Sequence, residues 1–347
     1  MHQIRAKLGL FHTTESIERA HDNLRPAVIS AAEGELEDSN INRSPTSYQL
    51  NPEEEKAMYD ADTDKNMFLL QFLANDDNGN QQTIGMVNWF AVHATSMNNT
   101  NTLVSGDNKG YASYALEREI NGRYSAPGQG PFVGAFASSN LGDVSPNTAG
   151  PKCIDTGEPC DGSTSTCNGR CEKCIAFGPG EDGDMFESTQ IIGDQQFRHA
   201  MDLMGQSTQE IISGDIDYRH AYVKMKGLNV STPTGYYTQL CSPAMGYSFA
   251  AGTTDGPGAF NFTQGTTSEN PFWDKVRDFL SEPTQEEIKC QAPKPILLNT
   301  GDIDQPYEWD PETVAIQILR IGNVFILSVP AELTTMCVAC NAKSGKQ

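Results

Sequence analysis

Basic residues are scarce in this sequence. It has 24 lysines and arginines against 45 aspartates and glutamates, a formal net charge of −21 at pH 7. Binding of nucleic acid needs a basic surface, so this balance argues against a nucleic-acid partner. The same charge argues against electrostatic attachment to anionic lipid. Any contact with a membrane surface therefore has to be apolar or made through a localised patch.

Long apolar runs are also missing. No stretch approaches the roughly 20 apolar residues that a membrane-spanning helix requires. The N-terminal stretch MHQIRAKLGLFHTTES lacks the apolar segment and the small-residue cleavage site of a signal peptide.

Other features are extracellular in character. Five of the nine cysteines lie between Cys153 and Cys174. The sequence also carries three N-glycosylation sequons and a poorer fourth one with a following proline: Asn98, Asn229, Asn261 and Asn42. These features predict an oxidising compartment, meaning the extracellular space, the cell surface or the secretory pathway. Because no signal peptide accompanies them, we expect the true N-terminus to be absent from this sequence.

Common catalytic and binding motifs are absent. There is no H-E-x-x-H, no P-loop and no Rossmann glycine fingerprint. Ser145, in SSNLGDVSPN, is not in a G-x-S-x-G elbow, and a metal-free serine hydrolase is disfavoured because no His or Asp partner in a plausible motif accompanies it. The C-x-x-C pairs beginning at Cys171 and Cys337 are too far apart for an ordinary four-cysteine zinc site, so disulfides are the favoured interpretation of the first pair.

Strand-like and helix-like segments alternate, which predicts an α/β fold with a mixed sheet flanked by helices. Residues 30–62 are mostly polar and rich in turn formers. We expect strands, or for the first run a strand or short helix, at 66–76, 83–97, 131–139 and 313–330, the last with a turn near Gly322. We expect helices at 14–24, 52–59, 109–119 and 185–204.

Three of the apolar runs lead into reactive polar residues: His93, Ser145 and Glu332. Ligands gather outside the carboxyl ends of strands in α/β sheets, so these residues could converge on one site. On the sequence pattern alone, each also has an ordinary interpretation. A lone histidine is often a structural hydrogen-bonding residue, Glu332 could be a helix N-terminal carboxylate, and Ser145 could belong to a turn.

Nine segments together resemble one family, the neutral (non-lysosomal) ceramidases, in order and approximate spacing from about Ser16 to Met336. The segments are INRSPTSY (41–48), WFAVHATSMNNTN (89–101), DNKGYASYALE (107–117), PGQGPFVGAFASSNLGDVSPN (127–147), DMFESTQIIG (184–193), GYSFAAGTTDGPGAFNFTQG (246–265), PFWD (271–274), PKPILLNTG (293–301) and SVPAELTTM (328–336).

The resemblance implies zinc-dependent hydrolysis of the N-acyl amide bond of ceramide and related N-acyl sphingoid lipids, giving sphingosine and a free fatty acid. It implies that His93 and Glu332 are ligands of one catalytic Zn²⁺. Ser145 matches a catalytic serine, either the nucleophile or a hydroxyl that positions water and amide. Arg43 matches an arginine that binds substrate. The implied disulfides are Cys153–Cys167, Cys160–Cys174 and Cys241–Cys290, which leaves Cys171 unpaired.

The sequence departs from the family pattern at both ends. The family's other histidine ligand lies in a T-H-T-H-S-G-P type motif that is missing here, and His12 is no substitute for it. The family's tyrosine ligand lies beyond the glutamate segment, and two family ligands are thus absent.

We therefore expect a divergent segment at 1–15, a partial, incomplete catalytic domain at 16–336 with a disulfide-rich insertion at 150–178, and a divergent tail at 337–347. The family's C-terminal immunoglobulin-like domain is missing. Activity of this chain should be impaired. The alternatives are a catalytically inactive secreted fragment that binds ceramide or a partner protein, and a gene-model artefact that does not fold stably.

Overall fold

The computed structural model describes residues 13–76, 78–206, 209–231 and 235–337. The helices are α1 (13–22), α2 (Pro45–Gln49), α3 (Glu53–Lys56), α4 (Asp107–Asn121), α5 (Met185–Met204), α6 (Tyr247–Ala250), α7 (Pro271–Ser281) and α8 (Gln285–Gln291). Short 3-10 turns lie at Cys171–Lys173, Glu181–Gly183 and Thr300–Asp302.

The strands are β1 (Ala27–Glu35), β2 (Ile41–Asn42), β3 (Asn66–Asn75), β4 (Gln81–Phe90), β5 (Val133–Ala137), β6 (Val144–Ser145), β7 (Gly150–Cys153), β8 (Cys174–Phe177), β9 (Glu210–Ile212), β10 (Ile216–Lys224), β11 (Asn229–Ser231), β12 (Tyr237–Gln239), β13 (Met245–Gly246), β14 (Ile296–Leu298), β15 (Thr313–Ile321) and β16 (Val324–Ser328). The helices and strands expected from the apolar runs are present, although α3 is shorter than the segment 52–59.

A five-stranded sheet with the order β5-β4-β3-β1-β9 forms the centre of the fold. Its strands pair antiparallel except β4 and β5, which are parallel and are connected through α4. A second, antiparallel sheet has the order β10-β15-β16. The prediction of an α/β fold with a mixed sheet and flanking helices is confirmed.

Helices α4 and α5 cover one face of the central sheet. The side chains buried between sheet and helices include Leu69, Phe90, Leu116 and Leu203, each with 0% of its surface exposed. The two helices approach closely at Gly193, where a Cβ atom would lie 2.6 Å from the ring of Tyr111. The opposite face of the sheet packs against the β15–β16 turn through Ile321 and Val324.

Strand β1 corrects the sequence prediction that residues 30–62 are mostly turns. Its sequence AVISAAEGE is poor in the β-branched and aromatic residues that favour strands. Small residues suit this position because β1 lies under α5: a Cβ atom on Gly34 would be 3.0 Å from Leu203 and 3.3 Å from His199. Tertiary packing, rather than intrinsic propensity, therefore selects this strand.

Three disulfides stabilise the periphery: Cys153–Cys167, Cys160–Cys174 and Cys241–Cys290. These are the pairs that the family resemblance implies. Cys171 is free and buried. The first two disulfides close the segment around the β7–β8 hairpin.

Within the described ranges, none of the helices has both the length and the apolar character needed to cross a bilayer.

Candidate active site

The site lies where β4 and β5 end at the same edge of the sheet. These parallel strands are in register up to the pair Trp89–Ala137, so the chain leaves both at the same level. The segment after β5 then runs into β6, whose Ser145 pairs with Ile41 of β2. Parallel pairing thus brings the loop of His93 next to the loop of Ser145.

His93 is held by the backbone of the serine loop. Its Nδ1 lies 2.9 Å from the carbonyl oxygen of Val144. A carbonyl can only accept, so Nδ1 carries the hydrogen and the lone pair of a neutral imidazole is on Nε2. Nε2 lies 3.4 Å from Oε2 of Glu332. Two acceptors that face each other at this distance are stabilised by a cation or proton between them.

Glu332 is held in place by Arg43. The Arg43 guanidinium donates through Nη2 to Glu332 Oε2 at 3.1 Å, and through Nε and Nη2 to the carbonyl of Gly142 at 3.1 and 2.9 Å. About 62% of the Glu332 side chain is exposed, so the ion pair contributes little to stability, on the order of 1 kcal/mol or less. Its effect is to orient the carboxylate toward His93.

The Glu332 segment and the serine loop touch through their backbones. The N–H of Gly142 donates to the carbonyl of Leu333 at 2.9 Å. A Cβ atom at Gly142 would lie 2.5 Å from the carbonyl oxygen of Glu332, so only glycine permits this approach. Next to it, Asp143 accepts two hydrogen bonds from Thr335. Residues from three distant segments, around positions 43, 142 and 333, are therefore joined at one place.

Ser145 is fully buried, with 0% of its surface exposed. Its hydroxyl donates to Oδ1 of Asp255 at 2.5 Å and accepts from the N–H of Asn147 at 2.9 Å. The structure does not place the hydroxyl directly against His93 or Glu332. The connection is through the neighbouring Val144 carbonyl.

Asp255 is the residue that sequence reasoning missed. It accepts from Ser145 and, through the same oxygen, from Nδ2 of Asn147 at 2.8 Å, while Oδ2 lies 3.4 Å from the hydroxyl of Thr95. The sequence offered no aspartate in a plausible motif as a partner for Ser145, and the structure supplies one from a distant segment. The available signal was the D-G-P turn that begins at Asp255, inside the family-like segment 246–265. Thr254, the residue before this turn, donates its N–H to the carbonyl of Arg43.

A second missed residue lies beneath the site. Lys109 on α4 is buried and donates to the carbonyl oxygens of Phe90 and Ala137 at 3.0 and 3.1 Å, the last residues of β4 and β5. Desolvation lowers the pKa of Lys109 to about 7. The ammonium group joins the ends of the two strands from which the His93 and Ser145 loops emerge.

His93 and Glu332 are the candidate metal donors that the structure brings together. Elsewhere, the described residues contain one group of three closely spaced candidate ligands, namely Cys153, Cys160 and Cys167. All three sulfurs are in disulfides and cannot act as thiolate ligands. Cys174 cannot contribute to a zinc site shared by the two C-x-x-C pairs, because it forms a disulfide with Cys160. Cys340 and His12 lie outside the described residues.

An open, mostly apolar groove of about 670 Å³ has Glu332 among its lining residues. Its walls come from both sheets and include Phe68, Trp89, Val324 and Ile326. The groove places a hydrocarbon-compatible surface beside the polar site.

Comparison with known proteins identifies the family. The profile of "Neutral/alkaline non-lysosomal ceramidase, N-terminal" matches residues 10–340. Neutral ceramidase B of Dictyostelium discoideum is 54% identical over 327 residues, covering 93% of this chain and 44% of that protein. Neutral ceramidase of Drosophila melanogaster is 52% identical over 329 residues, covering 92% of this chain and 46% of that protein.

Solved structures agree with the sequence comparison. The crystal structure of neutral ceramidase from Pseudomonas aeruginosa matches with a TM-score of 0.66 and 33% identity, covering 94% of this chain and 43% of that chain. A ceramidase complexed with C2 matches with a TM-score of 0.67 and 36% identity, covering 93% of this chain and 44% of that one. This chain thus spans less than half the length of these relatives. It belongs to the neutral/alkaline non-lysosomal ceramidase family.

Proposed function

We propose that the protein hydrolyses the N-acyl amide bond of ceramide, releasing sphingosine and a free fatty acid, with one Zn²⁺ as cofactor. The observation that carries this proposal is the contact between His93 Nε2 and Glu332 Oε2 at 3.4 Å, at the junction of three family-like segments. Family membership supports the reaction, and the apolar groove beside Glu332 supports a lipid substrate.

The two donors fit a zinc ion. Zinc ligands of these types lie about 2.0–2.1 Å from the metal, so two of them at a tetrahedral angle are about 3.4 Å apart. The Nδ1 of His93 bonds a backbone carbonyl, which is the usual outer contact of a metal-binding histidine and leaves Nε2 free for the metal. Arg43, itself bonded to the carbonyl of Gly142, holds the Glu332 carboxylate in position.

Bound zinc would lower the pKa of water and polarise the amide carbonyl. In this proposal His93 and Glu332 bind the ion. Arg43 orients Glu332 through its hydrogen bond, and its guanidinium can also contact the polar headgroup of the substrate. The groove containing Trp89 and Ile326 receives a hydrocarbon chain and excludes water from it.

We further propose that this chain alone has impaired activity. Catalytic zinc sites normally use three protein ligands, whereas the described residues bring two together. Zinc affinity should be correspondingly weak. An inactive, ceramide-binding chain is the second candidate, favoured by the apolar groove beside a site where the described residues bring together two zinc donors.

The experiment uses the purified 347-residue chain and a chimera in which its residues 16–336 replace the matching region of Dictyostelium neutral ceramidase B. We expect zinc-dependent release of fatty acid from ceramide by the chimera, and release slower by about 100-fold or more from the chain alone. Both should lose activity in the His93→Ala variant. A matched control is His220→Ala, an exposed histidine on β10.

A chimera that is well folded but does not hydrolyse ceramide contradicts the proposed reaction. Zinc-dependent hydrolysis by the chain alone at the rate of the chimera contradicts the proposed impairment. Ceramide binding without hydrolysis in both proteins supports the second candidate.

We also propose that the protein matures in the secretory pathway as a glycoprotein. Three disulfides require an oxidising compartment, and the sequon residues Asn98, Asn229 and Asn261 are exposed. The poorer sequon at Asn42 is buried, and its amide donates to Asp62 and Asp143. Secreted expression should give a mass shift on glycosidase treatment that maps to the first three asparagines and not to Asn42.

A further inference from the structure

The burial of Ser145 and Asp255 differs in a way that bears on their roles. Ser145 has 0% of its surface exposed, and its hydroxyl is already engaged as donor and acceptor. Asp255, which receives the Ser145 hydrogen bond, is only partly buried. Asp255 is therefore the more accessible residue of the pair.

The hydrogen bonds to Asp255 leave acceptor capacity on one oxygen. Oδ1 accepts from both Ser145 and Asn147, at 2.5 and 2.8 Å. Among the described residues, Oδ2 has one contact, the long 3.4 Å approach of the Thr95 hydroxyl. Since each carboxylate oxygen has about two lone-pair sites, Oδ2 can accept a further short hydrogen bond.

Asp255 also lacks a cationic partner. Across the described part of the chain, no lysine, arginine or histidine forms an ion pair with it, and its neighbours Ser145, Asn147 and Thr95 are all neutral donors. Its carboxylate is therefore not engaged in an ion pair with any described residue and can accept a hydrogen bond from a ligand. Hydrogen bonds to a charged acceptor are about twice as strong as those between neutral groups.

We propose that Asp255 is the group that contacts the substrate, accepting a hydrogen bond from a hydroxyl of the sphingoid headgroup through Oδ2, and that Ser145 is a positioning residue that acts through it. This inference rests on the proposed function, because that function supplies the substrate. It assigns to Asp255 a selectivity for N-acyl lipids with a hydroxylated headgroup. Ser145 and Asn147 fix the rotation of the carboxylate through Oδ1 and leave acceptor capacity on Oδ2.

The test measures binding, so that it is independent of turnover. Binding of monomeric N-acetylsphingosine to the purified chain is measured by calorimetry, in parallel with its 1-deoxy and 3-deoxy analogues. The wild-type chain should bind one of the two deoxy analogues about 10- to 100-fold more weakly, the range for a lost hydrogen bond to a charged group. This comparison requires no substitution in the protein.

Two variants then assign the loss to Asp255. Asp255→Asn keeps the shape but not the charge, and should weaken binding of N-acetylsphingosine about 10-fold or more while changing the affinity for the discriminating deoxy analogue less than about 3-fold. Asp304→Asn, at an exposed aspartate away from the site, is the matched control and should change neither affinity. A merely structural role would weaken all ligands equally.

A double-mutant cycle tests the role of Ser145. Ser145→Ala should weaken binding in the wild-type background but have almost no effect in the Asp255→Ala background, because its influence passes through the carboxylate. Equal effects in both backgrounds overturn the positioning role.

The whole inference is overturned if the wild-type chain does not bind N-acetylsphingosine, or if it binds both deoxy analogues as tightly as the parent lipid. It is also overturned if Asp255→Asn weakens the binding of all three lipids equally. Failure of the chimera to hydrolyse ceramide, with Asp255-dependent binding retained, overturns the proposed reaction and leaves this inference standing.

Discussion

Asp143 and Thr335 are joined by two hydrogen bonds although 192 positions separate them in the sequence. Oδ1 of Asp143 accepts the Thr335 N–H at 2.9 Å and its hydroxyl at 3.0 Å, and both residues are buried. Oδ2 accepts from the amide of Asn42 at 3.1 Å. One carboxylate therefore ties the serine loop to the segment of Glu332 and to β2.

We predict that Asp143→Ala destabilises the protein and loosens the site. Buried donors on Thr335 and Asn42 would lose their acceptor, at a cost of about 3 kcal/mol in the free energy of unfolding. Zinc affinity should fall as well, because Glu332 is no longer held opposite His93. Urea denaturation and zinc titration measure the two effects. Asp143→Asn, which keeps an acceptor for Thr335, should lie between wild type and alanine, and a fully stable Asp143→Ala variant would contradict the prediction.

Removal of either candidate zinc ligand should strongly weaken the binding of zinc by this chain. We expect His93→Ala and Glu332→Ala each to weaken zinc binding by at least about 100-fold, since the described residues bring two donors together at the site. Calorimetric titration in a background with Cys337→Ser and Cys340→Ser excludes binding by those thiols. His220→Ala serves as the control. Unchanged affinity in both ligand variants would show that zinc binds elsewhere.

Lys109 should make stability rise with pH. Desolvation lowers its pKa to about 7 in the folded protein, whereas the ordinary value is 10.5. Between these values the unfolded chain binds more protons than the folded one, so the free energy of unfolding increases with pH. From pH 7 to pH 9 the increase should be about 2 kcal/mol.

The measurement for Lys109 is the difference between wild type and Lys109→Met. Other groups contribute to both proteins; for example, burial raises the pKa of the Cys171 thiol, which acts in the opposite direction. The difference in unfolding free energy, measured with urea at several pH values, isolates the lysine. A difference that does not change with pH would mean that Lys109 keeps its proton in the folded state throughout.

The disulfide that closes the longest loop should contribute most to stability. Cys241–Cys290 spans 49 positions, and Cys153–Cys167 spans 14. By loop entropy, replacing each pair with serine should cost about 4 and about 3 kcal/mol respectively. Urea denaturation of the two double variants gives the comparison, with Cys171→Ser, at a free cysteine, as the control. A larger loss for the short loop would indicate that packing around the disulfide, rather than loop closure, dominates.

The sequence predicts the elements whose pattern is strong. Runs such as NMFLLQFLAN and the segment of α5 have the periodicity and length of their elements, and α5 has in addition an N-cap, Asp184, that accepts from the N–H of Glu187 at 2.7 Å. Strand β1 could not be found in this way, because its alanines and glycine are favoured only by the helix above it. Strand β10 was missed for a related reason: nearly all of its residues are exposed, so burial leaves no alternating pattern.

The site is predictable only in part. The sequence marks His93, Ser145 and Glu332 through strand ends and family resemblance, and the structure brings the first and third into contact. Lys109 has no local signal, and the D-G-P turn that begins at Asp255 does not reveal its partner, because the partners of these two residues lie 110 positions from Asp255 and 19 or more from Lys109. A hydrogen-bond network that joins distant segments is a property of the folded chain and cannot be derived from a single segment.

The two-residue pairing of β2 with β6 has a consequence for the accuracy of folding. Ile41 lies opposite Ser145, and Asn42 lies opposite Val144. In an extended chain successive side chains point in opposite directions, so sliding one strand by a single position would turn the serine hydroxyl away from Asp255. The carbonyl that orients His93 would rotate with it. A misalignment of only a few ångströms in this two-residue ladder would thus separate His93 from its carbonyl acceptor and Ser145 from Asp255.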